Sequence, residues 1–140
     1  MNRPISKTAG LFLKFTTNSY FSNQMNFLFV FIGGGLGSMA RYLIGLGFQK
    51  TNFSLPLATL LANVSACIIF AITLNLIENR NDSTNIRLLV LTGICGGLST
   101  FSTFGHETFL LLKQHAYFWV LLNILISIIL CVGSFFLIKR

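Results

Sequence analysis

The chain has 140 residues, 54% of them hydrophobic and only 9% charged, with a mean hydropathy of +0.76. A soluble domain carries roughly 25% charged residues, so a water-facing globule is excluded and a single-domain integral membrane protein is predicted. The formal charge of +7 does not point to nucleic acid, because the basic residues lie mostly at the ends of apolar segments, where they anchor spans and meet lipid headgroups.

Residues 1–25 differ from the rest. They hold Arg3, Lys7 and Lys14, no acid, and are rich in Ser and Thr. They are too polar to span a membrane. A basic, hydroxyl-rich, acid-free leader is also the pattern of a transit peptide. The preferred reading is a disordered extension or a start placed too early, since Met25-Asn26 directly precedes the first span. The membrane domain is residues 26–140.

Four spans of about 20 residues each are predicted, enough to cross a bilayer. The first, Asn26–Gly47, holds Gly33-Gly34-Gly35-Leu36-Gly37 and then Arg41-Tyr42. Gly33 and Gly37 form a small-xxx-small pair that lets another helix approach closely. Arg41 either snorkels to the interface or faces a vestibule and attracts anions. The second span, Leu55–Ile77, is opened by Pro56 and holds Asn63 deep in apolar sequence. Such an amide needs an interhelical partner, or serves as an uncharged donor in a pore. The polar stretch 78–85 then separates the halves.

The third span, Ile86–Leu112, contains the most informative segment. Residues 93–104 pack three glycines, four hydroxyl residues and two phenylalanines into twelve positions. A broken helix at membrane depth must face protein or water, because lipid cannot hydrogen-bond freed backbone groups. In transporters, such breaks build ion sites from half-helix ends and bare carbonyls. Gly93 and Gly97 form a second close-approach pair. Phe101 and Phe104 are spaced for core packing, although phenyl edges carry positive quadrupole density that can meet an anion. Glu107, His106 and His115 lie toward the end of this span, and neither histidine has a metal-ligand partner at useful spacing.

The fourth span, Tyr117–Ile138, repeats Trp119, Asn123 and Ser127 at four-residue intervals. Such a stripe means a helix contact or a wet path. Cys67, Cys95 and Cys131 are odd in number and contain no CxxC, so they read as small buried hydrophobes. No nucleophile–base pair or phosphate loop is present, so catalysis is not predicted.

Short loops make neighbouring spans antiparallel and put both ends of the membrane domain on one side. That side carries Arg80, Arg87, Lys139 and Arg140, and the other carries Arg41, Lys50 and Lys113. Four against three is almost no orientation signal, so the domain is expected to insert both ways and pair head to foot. Arg3, Lys7 and Lys14 would bias one orientation.

Gly33-Gly34-Gly35-Leu36-Gly37 with Arg41-Tyr42, Thr59-Leu60 with Asn63, and Gly93 through Phe104 followed by Glu107 together resemble the CrcB/Fluc family of fluoride channels. The resemblance covers about residues 26–138. It implies an all-α membrane protein of four transmembrane helices, the third broken, forming an antiparallel dual-topology homodimer in the cell membrane. It implies a passive fluoride path and a structural sodium ion at the dimer centre, bound by the carbonyls of Gly96 and Ser99. Phe101 and Phe104 would offer ring edges to fluoride, Asn63 a pore amide, and Ser102 and Thr103 a polar track. Arg41 would lie at the vestibule or dimer contact, with Trp119 and Asn123 as pore-facing candidates in the fourth span. Four positions depart from the family pattern: Ser99 for Thr, Ser65 for Gly, and Trp119 and Asn123 where Tyr and Ser are common. The competing readings are a proton-coupled drug or cation exporter, which wants a carboxylate embedded in the membrane, and a membrane subunit that only packs against a partner.

Overall fold

The computed structural model describes residues 5–49, 56–78 and 84–138, with side chains from residue 24 onward. Arg3, Lys50, most of the polar stretch (79–83) and Lys139-Arg140, used in the charge count, lie outside the described residues. All regular structure among the described residues is helical. Helix α1 is Ile5–Phe48 and α2 is Leu57–Ile77. The third span is composite: α3 (Thr84–Ile86), a π-helical stretch (Arg87–Cys95) and α4 (Gly96–Leu98) form its first half, and α5 (Phe101–Lys113) its second. Helix α6 is Tyr117–Ile138.

Four stretches are long and apolar enough to cross a bilayer: Gln24–Phe48, Leu57–Ile77, Thr84–Lys113 and Tyr117–Ile138. These are the four predicted spans, and the protein is a multi-pass membrane protein. Residues 5–25 are helical and continuous with the first span. Once a helix is nucleated, each further residue adds a hydrogen bond at little cost, so the span propagates backward into the leader.

The first half of the third span lies between α1 and α2, and α2 packs against α6. A small core of Ala62 and Ala66 from α2, with Cys95 and Leu98, sits at the centre. Its side chains are small because the helices approach closely. In lipid, association relies on packing and hydrogen bonds, which favours small residues at helix contacts. The large apolar residues face outward instead: Phe27, Phe31, Met39 and Leu43 on α1, and Ile129, Phe136 and Leu137 on α6. The turn between α5 and α6 is made by His115, whose φ of 56° is left-handed.

The two predicted glycine pairs meet each other. A Cβ added to Gly93 would stand 2.7 Å from the Cα of Gly33, and one on Gly37 would stand 2.8 Å from the amide nitrogen of Leu98. Gly97 faces the carbonyl of Gly34 with no room for a methyl, and Gly33 faces the carbonyl of Leu89 in the same way. The π-helical stretch suits this seam. Leu89 and Ile94, five residues apart, both turn carbonyls toward α1, where Gly33 and Gly37 receive them four residues apart. One turn of the wider helix is thereby matched to one turn of an α-helix.

Gly96 differs from its neighbours. Its backbone is ordinary α-helix (φ −65°, ψ −37°), and a Cβ there would meet nothing within 4 Å. Gly97→Val is expected to destabilise the protein by about 3 kcal/mol or more, because the obstruction is backbone that cannot move aside. Gly96→Ala is expected to be neutral, or to stabilise by up to about 1 kcal/mol through higher helix propensity. Thermal midpoints of both variants in detergent check this, and equal loss in the two would remove the seam from the account.

Candidate ion pathway at the break of the third span

The helix breaks at Ser99 and Thr100, not within the glycines. Ser99 (φ −74°, ψ 153°) and Thr100 (φ −150°, ψ 113°) are extended, after which α5 restarts at Phe101. A hydroxyl residue suits both positions. The Ser99 N–H and Oγ both donate to the carbonyl of Cys95, at 3.0 and 2.8 Å, closing the first half-helix. Thr100 is the N-cap of the second: its Oγ1 accepts from the Thr103 N–H at 3.2 Å. The same oxygen lies 2.9 Å from Thr103 Oγ1 and 3.3 Å from Ser102 Oγ. Three hydroxyls are thus joined in one cluster on the first turn of α5.

Two side chains from other spans hold the break open. Asn63 Oδ1 accepts from the Thr100 N–H at 2.7 Å, and its Nδ2 donates to the Thr100 carbonyl at 3.4 Å. One amide therefore satisfies both backbone groups of an extended residue, as a neighbouring strand would. The second Nδ2 proton is not used in this pair. From α1, Arg41 Nη1 donates to the Ser99 carbonyl at 3.2 Å. In a continuing helix the Thr100 N–H would bond the Gly96 carbonyl, four residues back. Asn63 takes that donor, so the break frees the Gly96 carbonyl from its helical partner.

Below Thr100 lies a cavity of about 250 Å³, lined by Arg41, Thr59, Thr100, Thr103 and Glu107 among others. Thr59 Oγ1 donates to Glu107 Oε1 at 2.8 Å, while the buried Oε2 of the same carboxyl has no hydrogen-bond partner. Sequence reasoning quoted Thr59 only as part of a motif. Its role depends on α2 lying beside α5, which spacing along the chain does not reveal.

The other candidates divide. Phe101, Ser102 and Thr103 are exposed on the protomer, Phe101 to 84%. Phe104 is half-buried, and its ring centroid lies 5.9 Å from that of Phe101. Asn123 instead faces inward. It is 1% exposed, and its Nδ2 donates to Thr108 Oγ1 at 3.1 Å. Thr108 Oγ1 in turn donates to the Phe104 carbonyl at 2.7 Å. Asn123 thus ties α6 to α5, one step from a candidate ring, through a threonine the sequence reading did not single out. Its depth in an apolar helix and the four-residue stripe were the available signals. Trp119 is at the helix start, edge-on to Phe118 at 5.6 Å. Among the described residues no cluster of three or more His, Cys, Asp or Glu side chains is placed to hold a metal.

Asn63→Ala would leave two backbone groups of buried Thr100 without partners. It is expected to cost about 1–3 kcal/mol per lost pairing and to speed amide hydrogen exchange at residues 100–104. Unchanged exchange at Thr100 would show that Asn63 does not hold the break.

Comparison with known proteins agrees with this architecture. The model of the family described as CrcB-like protein, Camphor Resistance (CrcB), matches residues 28–138. The chain is 39% identical over 109 residues to a protein of Escherichia coli strain K12 named fluoride-specific ion channel FluC, covering 77% of this chain and 84% of that one. A protein of the same name from Shigella boydii serotype 18 is 38% identical over the same length and coverage. The matched region takes in all three motifs and the whole broken span, and the chain belongs to the CrcB family.

Proposed function

We propose that the protein is a fluoride-selective channel that lets fluoride leave the cell passively, and that it is not an enzyme. The observation that carries this reading is the break. Its first turn presents Phe101, Ser102 and Thr103 outward beside Asn63, in a chain whose relatives are named fluoride-specific channels. Fluoride is small and holds water tightly, so a selective path must replace water's hydrogen bonds closely without binding the ion too strongly to leave. Neutral donors meet that demand. The hydroxyls of Ser102 and Thr103, the spare proton of Asn63 Nδ2 and the positive ring edges of Phe101 and Phe104 are all uncharged.

Because Phe101, Ser102 and Thr103 stand on an open face of the protomer, the path is completed by a second copy of the chain, inverted in the membrane. The nearly even Lys/Arg count of residues 26–140 supports such dual insertion. The carbonyls of Gly96 and Ser99 would hold a structural sodium ion. The fit rests on their chemistry: oxygen donors at a helix break suit a hard cation, and the donor that would occupy the Gly96 carbonyl is turned to Asn63. Gly96 is also open on its side-chain face, where a Cβ would meet nothing within 4 Å. When bound, sodium would supply positive potential near both paths without entering either. The exporter reading is weaker, because Glu107 is engaged by Thr59 and no other described carboxylate lies within a span.

Purified protein in liposomes is expected to release fluoride down its gradient and to retain chloride. Comparable chloride efflux would refute the selectivity. Phe101→Ile and Phe104→Ile keep apolar bulk and remove the ring edge. Each is expected to lower fluoride flux about tenfold or more with an unchanged oligomer by gel filtration, and normal flux in both would return the rings to packing.

For topology, a chain starting at Met25 is expected to insert in both orientations and to support full flux. Accessibility of a C-terminal tag from each side of the membrane reads this out. A single orientation, or lost fluoride resistance in cells, would assign the leader a necessary role.

A further inference from the structure

We infer that Arg41 is a built-in competitor for the cation at the break and sets how much sodium the assembled protein needs. This rests on the sodium reading above. Arg41 Nη1 already donates to the Ser99 carbonyl at 3.2 Å, one of the two oxygens assigned to sodium. That oxygen stands at the C-terminal end of a half-helix, where the backbone dipole draws positive charge. A carbonyl has two lone pairs, so guanidinium and sodium can share it, but two cations on one oxygen repel.

The arginine is not a loose arm. It lies one helical turn beyond Gly37, whose backbone is pressed against Ile94 and Leu98 of the third span. The seam therefore delivers Arg41 to Ser99 with little freedom, and the side chain is half-buried there. The charged and titratable group facing it across the cavity is Glu107 of α5. One of that carboxyl's oxygens is already held by Thr59 of α2. The other oxygen, Oε2, has no hydrogen-bond partner, so it does not tie up the guanidinium, and the relation of the half-helices stays fixed by Asn63.

The test is the thermal midpoint of the purified protein in detergent, titrated with sodium chloride against N-methylglucamine chloride at constant ionic strength. It compares the unsubstituted chain with Arg41→Gln, Arg41→Met and Arg41→Lys. Removing the charge is expected to lower the half-saturating sodium concentration roughly tenfold. Arg41→Met keeps the packing stem and serves if Arg41→Gln does not fold. Arg41→Lys keeps the charge, and its half-saturating concentration is expected to stay near that of the unsubstituted chain. A purely structural role would lower the midpoint equally at every sodium concentration. The inference is overturned if the neutral variants need as much sodium as the unsubstituted chain or more, or if the lysine variant shifts as far as they do. An unsubstituted chain with no response to sodium would instead sink the sodium reading itself, and this inference with it.

Discussion

The structure depends on one close approach of backbone to backbone. Gly33, Gly34 and Gly37 of α1 lie against Leu89, Gly93, Ile94 and Gly97 of the third span with no side chain between them. In lipid there is no hydrophobic drive to press two apolar helices together, so dispersion contacts and backbone polarity carry the association. Glycines facing carbonyls suit both. They allow approach at van der Waals distance and bring Cα–H groups to carbonyl oxygens, a weak but additive contact. The π-helical winding of Arg87–Cys95 follows the same geometry, bringing carbonyls five residues apart onto glycines four apart.

Everything at the break follows from that seam. With the first half of the third span fixed against α1, Arg41 reaches the Ser99 carbonyl and Asn63 of α2 reaches both backbone groups of Thr100. An extended residue in the middle of a membrane span is costly only if its N–H and C=O are left bare. Here they are met by a single amide. Freed from the helical ladder, the chain can restart at Phe101 with Thr100 as cap. The new helix carries its hydroxyls and rings on a first turn that faces away from the protomer core. The exposed hydroxyls and ring of this turn are therefore consequences of how backbone hydrogen bonds are redistributed.

The polar side chains in the spans then sort into two groups. Asn63, Thr59 and Asn123 spend hydrogen bonds on neighbouring spans, while Ser102 and Thr103 share hydrogens with Thr100 yet remain exposed. The first group holds helices in register. On the channel reading proposed above, the second would exchange a partner for a passing anion by turning a hydroxyl rotor.

Much of this was legible along the chain. Hydropathy and length located four spans, since crossing a bilayer imposes a length that composition reports directly. The concentration of glycine and hydroxyl residues in 93–104 marked the break, because such residues are poor continuous helix formers. The pairs Gly33–Gly37 and Gly93–Gly97 announced close approach. Tertiary structure alone decided that the two pairs meet each other, that the break falls on Ser99 and Thr100 while Gly96 stays helical, and that Asn123 turns inward to Thr108. Spacing defines a face within one helix, but not which neighbour it meets. That choice depends on the rotation and depth of each helix against the others, which the glycine seam sets for the assembly as a whole.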